Sequence, residues 1–277
     1  MREYSNKISL TKNGRGIYYI DTSIGCESGI FNNTGGCFND CYAAKIANRY
    51  GYDFGKTVER HFINESHKRQ ILSQIDNIKM PFIRIGVSGD PSENWNHTIS
   101  ILKIISRCNK EIVIITRHWT ILTDEQLKYF STINICVNTS VSALDKPELM
   151  QKCLDQYRRI KPYCKSVLRI ISCDFNLLNE TGHRLAKIQF DLFRNESILD
   201  TVFRPSKNNK FILDGIINIK EEIFNGRKQL ASKFNRKTYM GKCSTCKEMC
   251  GQNIKNENYS YPNKRQLIKQ LSFFSVK

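Results

Sequence analysis

The chain has 277 residues, 40% of them hydrophobic and 10% aromatic, enough to bury a sizeable core as one large domain or as one domain with an appendage. No run approaches the roughly 18 apolar residues of a membrane span, and the start MREYSNKISLTKNGRG has no apolar segment of secretory type. A soluble, cytoplasmic protein with no membrane partner is therefore expected. The net charge of +17 is concentrated at one end: Arg204 to Lys277 hold 16 Lys and Arg against 5 Asp and Glu. Such a surface suits a polyanion, nucleic acid above all, or is simply a solvated Lys-rich face.

In chain order, apolar runs alternate with helical patterns. GIYYID (16–21) reads as a strand, followed by a cysteine loop and then the helical CYAAKIANRYG, which stops at Gly51. PFIRIGVSGDP (81–91) is a second strand ending in a turn, and HTISILKIISRCN after it has helical spacing. EIVIITR (111–117) is a third, leading into TDEQLKYF, whose Thr-Asp-Glu start marks a helix N-terminus. INICVNTSVSALD (133–145), SVLRIISCDFN (166–176) and DTVFRPS (200–206) continue the series, with the helical stretches KPELMQKCLDQYRRI and TGHRLAKIQFDLF between them. Continuous β-branched runs alternating with helices predict parallel strands in βα units. About six units are visible, fewer than the eight of a closed TIM barrel. The expected fold is α/β, a partial (βα)6 TIM-like barrel of parallel strands, with a Rossmann-like open sheet as the second architecture. Residues 1–205 are expected to form the partial barrel, and 206–277 a basic extension carrying a second cysteine motif at 243–250. The end, KRQLIKQLSFFSVK, reads as a basic amphipathic helix and strand-like tail, expected to pack on the barrel, with membrane-surface contact as the alternative.

Eleven cysteines, an odd number, make a complete set of internal disulfides impossible and favour metal or redox chemistry. Cys108, Cys136, Cys153, Cys164 and Cys173 are scattered among apolar or helical neighbours and read as small buried hydrophobes. Cys26, Cys37 and Cys41 instead cluster in a Gly-rich loop after the first strand. A structural zinc site wants four ligands, typically arriving as two close pairs, whereas this loop spaces its thiols by ten and then three residues with no His between them. A 4Fe-4S cluster accepts three cysteines when a small molecule takes the fourth iron. Glycines at 25, 29, 35 and 36 let the backbone wrap closely around such a core. Cys41 also opens a predicted helix, whose N-terminal dipole favours a thiolate. Cluster is thus preferred over zinc. The second set, Cys243, Cys246 and Cys250 in GKCSTCKEMCG, is spaced by two and then three residues and suits either a second iron-sulfur cluster or a zinc with a fourth ligand from elsewhere. Arg236, Lys237, Lys242 and Lys247 around it suit a phosphate-bearing substrate.

Three loop cysteines after the first strand of a partial barrel, with Tyr42 beside the last, resemble the radical S-adenosylmethionine superfamily. The turn SGDP after the second strand resembles that superfamily's Gly-Gly-Glu-Pro-type turn. The ordered set GC…DCYAAKIA, IRIGVSGD, IITRHW, VNTSVSA and KCSTCKEMC is similar, more closely, to the phage gene-product-88 family of radical-SAM-like proteins, over residues 16 to 251. The usual superfamily loop spaces its cysteines by three and two residues, a departure that cluster binding tolerates because ligands need only converge in space. The resemblance implies a 4Fe-4S cluster on Cys26, Cys37 and Cys41 whose open iron chelates S-adenosylmethionine. It also implies a flavodoxin- or ferredoxin-like reductant and a 5′-deoxyadenosyl radical that takes hydrogen from a substrate, for which the basic surface makes a nucleic acid or nucleotide a candidate. Ser88, Gly89 and Asp90 match the turn that holds the amino group of S-adenosylmethionine, and a carboxylate suits an ammonium; Asp90 before Pro91 is equally a turn former.

Asn138, Ser140 and Ser142, at the end of the fourth strand, are candidates for ribose or carboxylate oxygens, or for capping the next helix. Arg169 lies within an apolar strand, where a charge is costly unless it meets a partner; it is a candidate for the carboxylate of S-adenosylmethionine or for a structural ion pair. Arg84 raises the same issue, and Arg117, His118 and Arg204 follow strands as candidate substrate contacts. The histidines at 61, 67, 97, 118 and 183 show no paired ligand spacing, so surface or core roles are expected for each. Two readings of other classes stand beside the enzyme: a zinc- or cluster-stabilised nucleic-acid-binding protein without catalysis, and a radical enzyme acting on a peptide or small molecule.

Overall fold

Runs such as EIVIIT and ICVNTSV bury both faces of a strand and so require cover on both sides. A computed structural model describes residues 2–32, 36–224 and 226–254; the tail 264–277 expected to form a basic helix lies outside the described residues. Six parallel strands run in chain order across one sheet: β1 (Tyr18–Tyr19), β2 (Phe82–Ile85), β3 (Glu111–Thr116), β4 (Ile135–Val141), β5 (Lys165–Ser172) and β6 (Ile198–Val202). Thr11–Lys12 pairs antiparallel with β1 at the outer edge. Within the sheet order the two edges do not meet, so the α/β fold is a partial TIM-like barrel, as expected.

The connections carry α1 (Tyr42–Arg49) and α2 (Glu65–Asn77) between β1 and β2, then α3 (Trp95–Ile105), α4 (Asp124–Phe130), α5 (Pro147–Ile160) and α6 (Glu180–Leu192) after β2 to β5 in turn. Local chemistry sets these starts. Thr123 and Gln126 form a reciprocal capping box on α4, Asn94 caps α3, and Pro147 opens α5. Helix α2 was not among the expected elements. Its largely polar surface carries only a thin apolar stripe, of which Ile71 and Ile75 are buried.

Strand side chains alternate between two cores. Ile83, Ile85, Ile112, Ile114, Ile135 and Val137 face outward and pack under the helices against Ile75, Trp95, Leu102, Leu127 and Phe130. The other parity faces the lumen. Its lowest layer is Phe82, Val113, Cys136, Val167 and Leu199, joined by Ile17 and by Cys243 and Cys250. Arg84, Asn138 and Arg169 share that parity one step higher, where a polar lumen replaces an apolar one. The extension beyond residue 206 returns along this concave side: Ile217–Asn218 pairs with Asp174–Phe175, Phe203 bridges Ser232, and the amide of Cys243 donates to Arg15.

The scattered cysteines are structural, as expected. Cys108, Cys136, Cys153 and Cys173 are buried, and Cys164 is partly so. His118 is core rather than substrate-facing. It lies on the helix side of the sheet, fully buried, with φ 51, its Nε2 2.9 Å from Thr139 Oγ1 and its ring beside Trp95. Burial, and then the nearby charge of Lys152, depress its pKa to about 3. Above its ordinary value near 6.5 the residue is neutral folded or unfolded; as pH falls from there toward about 3, only the unfolded chain takes up the proton. His118 therefore removes about 1.4 kcal/mol of stability per pH unit across that window. Replacement His118→Asn, a residue type that tolerates this left-handed backbone, should flatten the acid limb of a urea-unfolding series by that amount between about pH 6 and 4. An unchanged slope would show that His118 protonates freely in the folded protein.

Candidate functional site

The cysteine loop leaves the mouth of the barrel after β1. Asp21, 1% exposed, accepts hydrogen bonds from the amides of Val87 (2.8 Å) and Ser88 (2.9 Å), which holds the turn after β2 against the end of β1. Gly25 then bridges Gly89 in parallel and donates to the Ser88 carbonyl at 3.0 Å. With φ 85 and a Cβ that would fall 2.2 Å from the Lys56 carbonyl oxygen, position 25 admits only glycine. Cys26 follows directly, its sulfur 3.2 Å from Glu93 Oε1, and the same carboxylate takes the amide (3.1 Å) and hydroxyl (2.9 Å) of Ser28.

Cys37 opens the turn Cys37–Asn39, in which Phe38 and Asn39 adopt left-handed φ values of 59 and 57. That reversal delivers Cys41 to the N-cap of α1, where the amides of Ala43 and Ala44 point at its sulfur. Asp40, buried between the two cysteines, accepts from the Ser206 amide (3.1 Å) and hydroxyl (2.7 Å), from Asn209 and from Lys45. Asn209 also donates to the Phe38 carbonyl at 2.9 Å. The loop is thereby tied to the chain that leaves β6, on the far side of the opening. The Tyr42 hydroxyl donates to the Val87 carbonyl, a link back to the β2 turn.

All eleven thiols are free. Burial raises the pKa of Cys26, pushes that of Cys37 up to about 12 against the pull of Arg117, and raises that of Cys41 against its helix amides. Each sulfur lies within electrostatic reach of the next, Cys26 of Cys37 and Cys37 of Cys41. Free thiols kept neutral mainly by burial suit a metal core, which deprotonates its thiol ligands outright. Tetrahedral zinc with 2.3 Å bonds would hold sulfurs about 3.8 Å apart. Among the described residues, however, the only group of three or more His, Cys, Asp and Glu ligand atoms within 4.8 Å of one another is Glu59, His61 and His97. The three loop sulfurs therefore do not all lie within 4.8 Å of one another, whereas the thiolates of a multi-iron core sit on separate irons. Unpartnered donors face the same space: Arg117 Nε and Nη1 and Trp119 Nε1 are buried without hydrogen bonds. Arg117 is ion-paired to Asp145, lies 5.2 Å over the Phe38 ring, and carries its remaining charge toward Cys37.

The residues singled out from the sequence separate into three groups. Ser88 and Gly89 lie at the mouth, held through their backbones. Asp90 is there too, but its carboxylate is committed: Oδ1 accepts from the Ser92 amide (2.9 Å), the Ser92 hydroxyl (2.7 Å) and Thr116 Oγ1 (2.7 Å), and Oδ2 from the Arg117 amide (2.7 Å). Ser142 is a turn former, donating to the Ile171 carbonyl at 2.7 Å. Ser140, paired in register with Arg169, is buried on the lumen parity. Asn138 and Arg169 belong with the second cysteine set. The side-chain amide of Asn138 donates to the Cys250 carbonyl at 3.0 Å, while its buried Oδ1 has no partner.

That second set lines a cavity of about 480 Å³ in the lumen, walled by Arg15, Arg84, Arg169, Cys243, Cys246 and Cys250 among others. The arginine ion pairs among the described residues involve Arg117, Arg158, Arg159 and Arg194, and none of the cavity's three. Arg84 and Arg15 each have a buried Nε without a hydrogen bond. Burial, and then the charge of Arg84, lower Arg169 to about 10, and burial and then Arg15 lower Arg204. Cys250 is pulled down as the acceptor of a hydrogen bond from Cys243 and by the three arginines, against burial. Asp200 and Glu248 also line the cavity, but neither is ion-paired to its arginines, and the excess of positive charge is arranged for an anion. Asp21, Asp40, Glu93, Asp145 and Arg15 were not read from the sequence; the one local signal was an acid directly after an apolar strand, at Asp21.

No family model matches the chain, and no curated protein matches it. A solved structure of a spore photoproduct lyase variant is similar at 14% identity, over 84% of this chain and 73% of that one, with a TM-score of 0.49. Among the described residues no helix is long and apolar enough to cross a membrane.

Replacing Asp90 by Ala would strand four buried donors, each worth about 1–3 kcal/mol. Asp90→Ala is expected to lower the unfolding free energy by about 3 kcal/mol or more, measured by urea unfolding at neutral pH. A loss below about 1 kcal/mol would mean that the turn holds without its carboxylate.

Proposed function

We propose that the protein is a radical S-adenosylmethionine enzyme acting on a phosphate-bearing substrate, a nucleic acid or nucleotide. The observation that carries this reading is that Cys26, Cys37 and Cys41, all free, sit on the loop at the mouth of an open parallel barrel, Cys26 within electrostatic reach of Cys37 and Cys37 of Cys41. These three residues would hold a 4Fe-4S cluster. Together with S-adenosylmethionine, such a cluster supplies one-electron chemistry and a carbon radical that takes hydrogen from a substrate. The finer kinship, with the phage gene-product-88 family, rests on the ordered sequence motifs. A flavodoxin- or ferredoxin-like reductant and a reducing, cytoplasmic setting belong to the same reading.

The roles of the chain's own residues follow from their surroundings. Glu93, half-buried beside Cys26, accepts from Ser28 and Cys26 and keeps acceptor capacity for an ammonium group on Oε2, whereas Asp90 is spent on the turn. Asp90 acts as a positioning residue for Ser88, Gly89 and Arg117. Arg117, anchored by Asp145, directs its free N–H groups toward the cysteine loop. Arg15, Arg84 and Arg169 bind the anionic part of the substrate, with Lys237 at the cavity wall. Cys243, Cys246 and Cys250 hold a second iron-sulfur cluster or a zinc ion.

Anaerobic reconstitution followed by iron and sulfide analysis tests the assignment. The wild-type protein should be brown and yield 5′-deoxyadenosine from S-adenosylmethionine and a reductant. Cys26→Ala, Cys37→Ala and Cys41→Ala should each abolish that product, whereas Cys246→Ala should lower metal content and retain it. Arg169→Gln should weaken binding of a nucleotide probe and make it less steeply salt-dependent, since each lost phosphate contact reduces the salt slope. A colourless protein carrying stoichiometric zinc and giving no 5′-deoxyadenosine would replace the enzyme with a non-catalytic binder.

A further inference from the structure

Away from both cysteine sets, three residues that the sequence separates are brought together at the base of the cysteine-bearing arm. Ser23–Ile24 pairs antiparallel with Val58–Glu59, and the chain continues to His61, whose amide donates to the Asn6 carbonyl at 2.7 Å. The first turn of α3 packs against this ribbon and contributes His97. The ligand atoms of Glu59, His61 and His97 lie within 4.8 Å of one another, and the two imidazoles stand edge to face, 4.7 Å between centres. The sequence expectation of unconnected surface or core histidines does not hold for this pair, because contact across the arm has no signature in linear spacing.

The hydrogen-bond pattern determines what His97 presents. Its Nε2 lies 3.2 Å from the Thr22 carbonyl oxygen and 3.1 Å from that of Arg60. Carbonyl oxygens only accept, so Nε2 carries the hydrogen. A neutral ring then offers a lone pair at Nδ1, and Nδ1 faces Glu59 Oε2 at 3.5 Å. Two acceptors in apposition require a positive species between them. A proton on Nδ1 would serve that pair alone and leave His61 without a part. A metal ion uses all three side chains. The surroundings also have the form of a metal site's outer shell, in which a ligating His donates its other N–H to a backbone carbonyl and the carboxylate is itself hydrogen-bonded. Here Asn94 Nδ2 donates to Glu59 Oε1 at 2.7 Å.

We propose that Glu59, His61 and His97 Nδ1 form a binding site for a divalent transition-metal ion of the zinc class, with a coordination position left for water on the exposed His61 side. Two imidazoles and a carboxylate favour such borderline ions over calcium or magnesium, which take oxygen ligands. The ion would pin the ribbon that begins and ends the cysteine-bearing excursion, residues 22 to 60, to helix α3. Its existence does not depend on the chemistry proposed for the cysteines.

The test uses the full chain, reconstituted anaerobically so that the cysteines are occupied, and titrated with zinc alone. The wild type should bind one equivalent of zinc more than His61→Ala or Glu59→Gln, at unchanged iron content, and Asn94→Ala should weaken that equivalent by about tenfold. Zinc should raise the melting temperature of the wild type and not of His61→Ala. His61 is exposed, so its variant should fold normally, with circular dichroism as the check. Equal zinc stoichiometry and affinity in wild type and His61→Ala would overturn the site. So would nitrogen NMR showing His97 doubly protonated and indifferent to zinc, the signature of a simple ion pair with Glu59.

Discussion

Buried carboxylates do in this protein what secondary structure cannot. The segments that carry Cys26, Cys37, Cys41 and Arg117 are loops at the C-terminal ends of strands, and a buried loop must still satisfy its backbone groups. Asp21 ties the end of β1 to the turn after β2, Asp90 ties that turn to the end of β3, and Asp145 anchors Arg117 while accepting from the Ser142 amide at 2.8 Å. Asp40 ties the cysteine loop to the chain beyond β6. The ties run around the rim from one strand to the next. Without them, three cysteines spread over sixteen positions of irregular chain would have no reason to stay in one place.

The same geometry explains why the lumen is polar where it is. Apolar residues close the lowest layer, and the next step up each of β2, β4 and β5 carries Arg84, Asn138 or Arg169. Arginine there is costly unless an anion answers it. The descending C-terminal segment brings three thiols to the arginines, and thiolates of a metal centre, or the phosphates of a substrate, would supply the missing negative charge. Two cysteine sets thus lie along one barrel, one at the mouth and one in the lumen, with Arg84 in electrostatic contact with both Tyr42 and Cys250. A barrel that fails to close leaves an open side through which the extension enters.

The six parallel strands, their β-branched runs and the helix starts at Thr123 and Pro147 were legible in the sequence. They depend on nearest neighbours and on a two- or 3.6-residue period. The two cysteine triplets were legible too, because each keeps its members within a short stretch. The sequence alone could not assign Asp90, whose carboxylate suited a ligand until Ser92, Thr116 and Arg117 were seen to surround it. Nor could it separate Arg117, which reaches the cysteine loop, from His118, whose side chain points under the helices. Parity along a strand decides that, and strand register fixes parity. Arg15 with Arg84, Asp40 with Ser206, and His61 with His97 are contacts between segments far apart in the chain. Each exists because the barrel curves and its arms fold back, and linear spacing carries no record of that curvature.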